Sequence, residues 1–182
     1  MNRLFGYFSF CSARLPLPNQ IKFESPFWAP DHIGHFKDEY ILLSSTQRFI
    51  TPECHRALMP IHHHDSGYVL IADAYLTQRK RLCNQLNANI EQADAELILL
   101  AYLKWGHQVC QHLSGEFCFA LWDPSDHSLF IATDQFNRRP LLYAYKAGHS
   151  FIFANEISPF RIVYASRMKF RNPPSKISCN FN

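Results

Sequence analysis

Glycine is scarce in this chain of 182 residues, which has 6 of them, and the last 25 residues carry no acidic side chain at all. The few glycines never fall into Gly-x-x-x-x-Gly-Lys, Gly-x-Gly-x-x-Gly or Gly-x-Ser-x-Gly spacing. Phosphate-cradling loops and the serine nucleophile elbow therefore have no sequence support. No two of the 6 cysteines (11, 54, 83, 110, 118 and 179) form a Cys-x-x-Cys pair. Their irregular spacing, in a chain large enough for its own core, is not a disulfide framework, and a reduced, cytoplasmic setting is expected. No apolar run approaches the ~18 residues that span a bilayer, and the one from Leu4 to Phe10 is short for a secretory signal. No membrane association is expected.

What is present describes a packed globular protein: 47% hydrophobic residues and 18% charged. Disorder, collagen and coiled coil are excluded as global descriptions. The formal charge of +3 suggests acidic partners until it is partitioned. Residues 1–157 hold 13 basic and 15 acidic side chains, and residues 158–182 hold Arg161, Arg167, Lys169, Arg171 and Lys176. The basic excess belongs to a short tail containing Pro173-Pro174, read as a poorly ordered extension. Nucleic-acid binding is not expected.

Apolar runs bounded by turn residues predict strands at 4–10, 39–44 and 67–72, then at 116–123, 127–133, 141–145 and 150–154. Residues 11–38, with Pro16, Pro18, Pro26 and Pro30, read as loop. Two helices are expected between the two groups of strands. Thr77 is the N-cap residue for 78–86 and Asp94 the N-cap for 95–105, the latter stopping at Gly106. The second is apolar nearly all round, so it should lie between layers. Strands with antiparallel hairpin spacing and helices grouped in the middle make an α+β domain.

Three groupings invite a site and have plainer readings. His62, His63 and His64 are consecutive, so on extended chain they face opposite sides and cannot converge on one ion. His107, Cys110 and His112 lack a fourth partner. Arg79-Lys80-Arg81 is short for a nucleic-acid patch and reads as a solvated helix face. No metal site is expected.

Five segments in order, LIADAYL, ADAELILLAYLKWG, HLSGEFCFALWDPSDHSLFIATDQF, RRPLLY and FIFANEI, are similar to the N-terminal, class II glutamine amidotransferase domain of the asparagine synthetase family. The resemblance covers residues 1–157. It implies the N-terminal-nucleophile (Ntn) hydrolase fold, an αββα sandwich of two antiparallel sheets between helix layers. It also implies glutaminase chemistry in which an N-terminal Cys thiolate attacks the glutamine amide and its own amine acts as base.

Aligning Leu4-Phe5-Gly6-Tyr7 on the family's opening strand places Asn2 at the nucleophile position, where an amide is no nucleophile. Methionine is also poorly removed before Asn. Arg48, twelve residues ahead of Pro60-Ile61, matches the Arg that grips the substrate carboxylate, although a surface Arg explains it equally. Asp94 matches the Asp that binds the substrate amine, and a helix cap explains it as well. Asp73-Ala74 stands where the family's Asn-Gly forms the oxyanion hole, and a carboxylate there would repel the developing charge. Cys11, the thiol nearest the lost position in sequence, has no amine or His beside it.

The expectation is a glutaminase-inactive domain, kept as a scaffold as in lasso-peptide cyclases and β-lactam synthetases. Its implied partner is a synthetase-domain protein or a second copy. The alternative is one subunit of a split, glutamine-dependent amide ligase. In either case ATP and Mg would belong to a synthetase domain, leaving no cofactor in this chain.

Overall fold

The computed structural model describes residues 2–10, 15, 29–160 and 177–180. Among the described residues, ten strands form two five-stranded sheets. The first sheet contains β1 (Arg3–Ser9), β2 (His32–Lys37), β3 (Ile41–Gln47), β8 (Leu142–Lys146) and β9 (Ser150–Ala154) in the order β2-β3-β1-β9-β8. The second contains β4 (Ile61–His62), β5 (Val69–Leu76), β6 (Gly115–Asp123), β7 (Ser128–Thr133) and β10 (Ile177–Asn180) in the order β10-β7-β6-β5-β4. Pairing is antiparallel throughout, except that β10 runs parallel to β7. Of the tail expected to be poorly ordered, residues 161–176 and 181–182 lie outside the described residues.

The sheets pack face to face because their strands alternate. Leu4, Phe8, Ile41, Leu43, Phe151 and Phe153 of the first sheet meet Val69, Ile71, Ala120, Trp122, Leu129 and Ile131 of the second. Trp122 is fully buried and tilts against Phe8 at 5.6 Å between ring centroids. The outer face of the second sheet, through Leu70, Ala72, Phe119, Leu121 and Phe130, packs on α1 (Arg79–Leu86) and α2 (Asp94–Trp105). The outer face of the first sheet carries Phe5, Leu42, Ile152 and Phe160. This is the α+β, Ntn-type sandwich that the resemblance implies.

Several local expectations are corrected. Residues 32–37, read as loop, form edge strand β2; the half-buried, alternating HIGHFK lacks the apolar run that marks interior strands, and main-chain pairing with β3 supplies the order instead. Helix α2 does not lie between layers. It is an outer layer whose far edge leaves Leu103 38% exposed. Thr77 does not cap α1: the helix begins at Arg79 after Gln78 in a left-handed conformation (φ 52°), and the Thr77 N–H donates to the Ser114 carbonyl at 2.7 Å. Gly106, with φ 55°, does end α2 as expected. His62 lies on β4 edge-on to Phe36, while His63 Nδ1 pairs with the Ser66 hydroxyl at 2.9 Å.

Candidate functional site

β5 organises the site because successive residues face opposite sides of a strand. Its helix-facing set, Ala72, Ala74 and Leu76, walls a cavity of about 250 Å³ that also includes Asn2, Gln47, Cys54, Met59, Arg79 and Asp94. Its other set, Val69 and Ile71, enters the core between the sheets, and Asp73 follows in the same phase. The sequence-adjacent pair Asp73-Ala74 is thus split. Ala74 lines the cavity, and Asp73 is 2% exposed behind it.

Asp73 is held on both oxygens. Its Oδ1 accepts the backbone N–H of Asn2 at 2.7 Å and its Oδ2 accepts from Arg139 Nη1 at 2.8 Å. Arg139 also faces Glu116 at 3.7 Å. Burial works against the Arg139 charge, but the Asp73 carboxylate and its hydrogen bond, with Glu116, keep the guanidinium's pKa above its usual value. The carboxylate expected to repel an oxyanion is therefore already neutralised by its own partner.

Asn2 is fixed from three sides. Its Nδ2 donates to the Ala72 carbonyl at 3.1 Å, and its carbonyl accepts from Asn155 Nδ2 at 2.7 Å. Asn155 Oδ1 in turn accepts the Leu4 N–H at 2.8 Å, so this side chain carries the ladder beyond the end of β9. The cavity floor is strapped to β3: Gln47 donates to the Ala57 carbonyl at 2.9 Å and accepts the Met59 N–H at 2.6 Å.

Asp94 does line the cavity, but it does not act as a cap. It is the first residue of α2, and the preceding Ala93 N–H is satisfied by Glu96 Oε2 at 2.8 Å. The Asp94 carboxylate turns to β5 instead, accepting the Leu76 N–H at 2.9 Å and pairing with Arg79. Arg79 Nη2 donates to the carbonyls of Ile90 at 2.8 Å and Gln92 at 2.6 Å. The solvated reading of Arg79 is thereby corrected; its side chain is 26% exposed and tied to three acceptors. Arg48 is exposed just beyond β3 and is not among the cavity-lining residues.

Sequence reasoning missed Arg79, Arg139 and Cys54 as site residues. For Arg79 the available signal was its place at the start of a helix, where a cation is disfavoured unless an anion answers it. Cys11 lies outside the described residues. Cys54 is half-buried at the cavity, with its Sγ 3.3 Å from the Thr51 hydroxyl. Cys83, Cys110 and Cys118 are buried, and burial, reinforced by Asp73, pushes the Cys118 thiol well up. Iodoacetamide should therefore modify Cys54 before these three, as read by peptide mass spectrometry; earlier labelling of Cys118 would contradict the closed sheet interface.

Among the described residues, no three His, Cys, Asp or Glu side chains gather as a metal would require, and no helix is long and apolar enough to cross a membrane. Sequence comparison finds that residues 4–173 match the glutamine amidotransferase domain family. Glutamine-hydrolyzing asparagine synthetase 3 of Bacillus subtilis is 29% identical over 133 residues, 70% of this chain and 22% of that protein. A Mycobacterium tuberculosis protein provisionally named as a glutamine-hydrolyzing asparagine synthetase is 42% identical over 86 residues, covering 44% of this chain and 13% of its own length. Amidase chyE of Penicillium rubens is 27% identical over 134 residues, 72% of this chain and 20% of its own. The chain spans no more than about a fifth of the length of such relatives.

Proposed function

Because the chain belongs to the glutamine amidotransferase domain family, as the N-terminal class II domain of the asparagine synthetase type, we propose that it is a glutaminase-inactive member acting as a scaffold for a synthetase-domain partner. The observation that carries this reading is Asn2. Its amide lines the cavity and donates to the Ala72 carbonyl, at the position where the resemblance requires a nucleophilic thiol. With Met1 preceding it in the sequence, the Asn2 nitrogen is an amide N–H spent on Asp73, with no lone pair to serve as a base. The oxyanion position fares no better: Asp73 is an anion turned away into its ion pair. Loss of one oxyanion donor alone typically lowers turnover ~10²–10³-fold.

Docking is supported by two exposed aromatics. Tyr75, 61% exposed, and Phe136, 69% exposed, both line a second cavity, of about 630 Å³. Exposed aromatic pairs of this kind serve as anchors in protein interfaces. Any ATP and Mg chemistry would reside in the partner.

Incubation of the purified chain with glutamine is expected to release no ammonia above the buffer rate in a coupled glutamate dehydrogenase assay. Turnover abolished by Cys11→Ala or Cys54→Ala would overturn the reading, since it would reveal a substitute nucleophile.

A further inference from the structure

The charged groups around the cavity are Glu53, Arg79 and Asp94. Asp94 has no oxygen left for an incoming cation. One oxygen accepts the Leu76 N–H, and the other faces Arg79 Nη1. The same guanidinium reaches the Ile90 and Gln92 carbonyls through Nη2. A carboxylate together with neutral carbonyl oxygens is the donor-poor, acceptor-rich setting that a primary ammonium, with three N–H donors, also seeks.

We propose that Arg79 is an internal ligand of this pocket, standing on Asp94 in place of an amino acid's α-ammonium and so closing the site to amino acids. The inference rests on reading the cavity as a former glutamine site. Tethering makes the competition unequal. Arg79 begins α1 and Asp94 begins α2, 15 residues on in the same chain, so Arg79 is present at the effective concentration of an intramolecular group, ~mM or higher. A free amino acid must displace it and leave the guanidinium without its carboxylate.

Calorimetric titration of the full chain with L-glutamine tests this. Wild type should give no binding heat. Arg79→Met keeps much of the aliphatic stem and removes the charge, and it should bind glutamine at least tenfold more tightly than wild type. Adding Asp94→Asn should abolish the gain. Arg79→Gln, which retains donors for the Ile90 and Gln92 carbonyls, is the second variant, with near-ultraviolet circular dichroism reporting the fold. Asp94-dependent glutamine binding by wild type overturns the proposal. So does failure of both folded variants to bind, and so does unfolding of both, which would make Arg79 a strut. Glutamine binding by wild type without ammonia release overturns only this inference, whereas ammonia release overturns the proposed function as well.

Discussion

Arg139→Met is expected to destabilise the protein by about 3–5 kcal/mol, the cost typical of removing one partner from a buried ion pair. The reason lies in the asymmetry of exposure. Asp73 is 2% exposed, so without Arg139 its charge is left beside Cys118 and the sheet interior, with the Asn2 N–H its remaining hydrogen-bond donor among the described residues. Asp73→Asn should cost less, because an amide oxygen still accepts from Asn2 and Arg139 still faces Glu116. The double variant should recover much of the loss, showing a coupling of ~1–3 kcal/mol in a double-mutant cycle. Urea denaturation measures all three. A cost below ~1 kcal/mol for Arg139→Met would mean that water reaches Asp73 and that the pair behaves as a surface one.

Gly115→Ala is expected to cost more than about 3 kcal/mol, through two independent mechanisms. Gly115 opens β6 with φ +129°, where an L side chain is strained by ~1–3 kcal/mol. A Cβ there would also lie 2.3 Å from the Tyr75 carbonyl oxygen and 2.9 Å from both Leu76 Cα and Thr77 N. These are backbone atoms that no rotamer change can move, and overpacking adds ~1–3 kcal/mol. At ~2–4 °C per kcal/mol for a chain of this size, the melting temperature should fall by about 10 °C. Gly148→Ala is the control: its φ is also positive, +70°, but no atom lies within 4 Å of the added carbon. A cost of only ~1 kcal/mol is expected there. Equal losses at the two positions would show that backbone strain alone decides and that the contact with β5 does not. Because Leu76 pairs directly with Gly115 and donates to Asp94, the same substitution should also disturb the Arg79–Asp94 contact.

The interior of the sandwich was legible from sequence because burial on both faces writes a continuous apolar run. EFCFALWD, HSLFIAT and SFIFA are each read as strands and each is one. β2 was not legible, since an edge strand is held by main-chain bonds that any side chain permits. The start of α1 differs for a related reason: Thr77 has the chemistry of a cap, but its backbone extends the β5–β6 ladder by donating to the Ser114 carbonyl, and a left-handed Gln78 separates it from the first helical residue.

For the site, the sequence names residues that the fold brings to one place but not the contacts each of them makes. Asn2, Ala74 and Asp94 do meet at one cavity, drawn together by β1, β5 and the start of α2. Arg48 does not join them. Asp73 was read as a bare carboxylate because its neutralising partner lies 66 residues away, beyond the reach of any local pattern. Arg79 and Asp94 are 15 residues apart, and nothing in either helix's own sequence announces that they touch.

Residue identity by itself determined that an amide stands at position 2 and a carboxylate at position 73. It also determined the alternation that builds two facing sheets. Only the tertiary structure decided which charges answer one another. Alternation along a strand is a local consequence of chain geometry, whereas the effect of a charge depends on the groups and water around it, and folding alone brings those together.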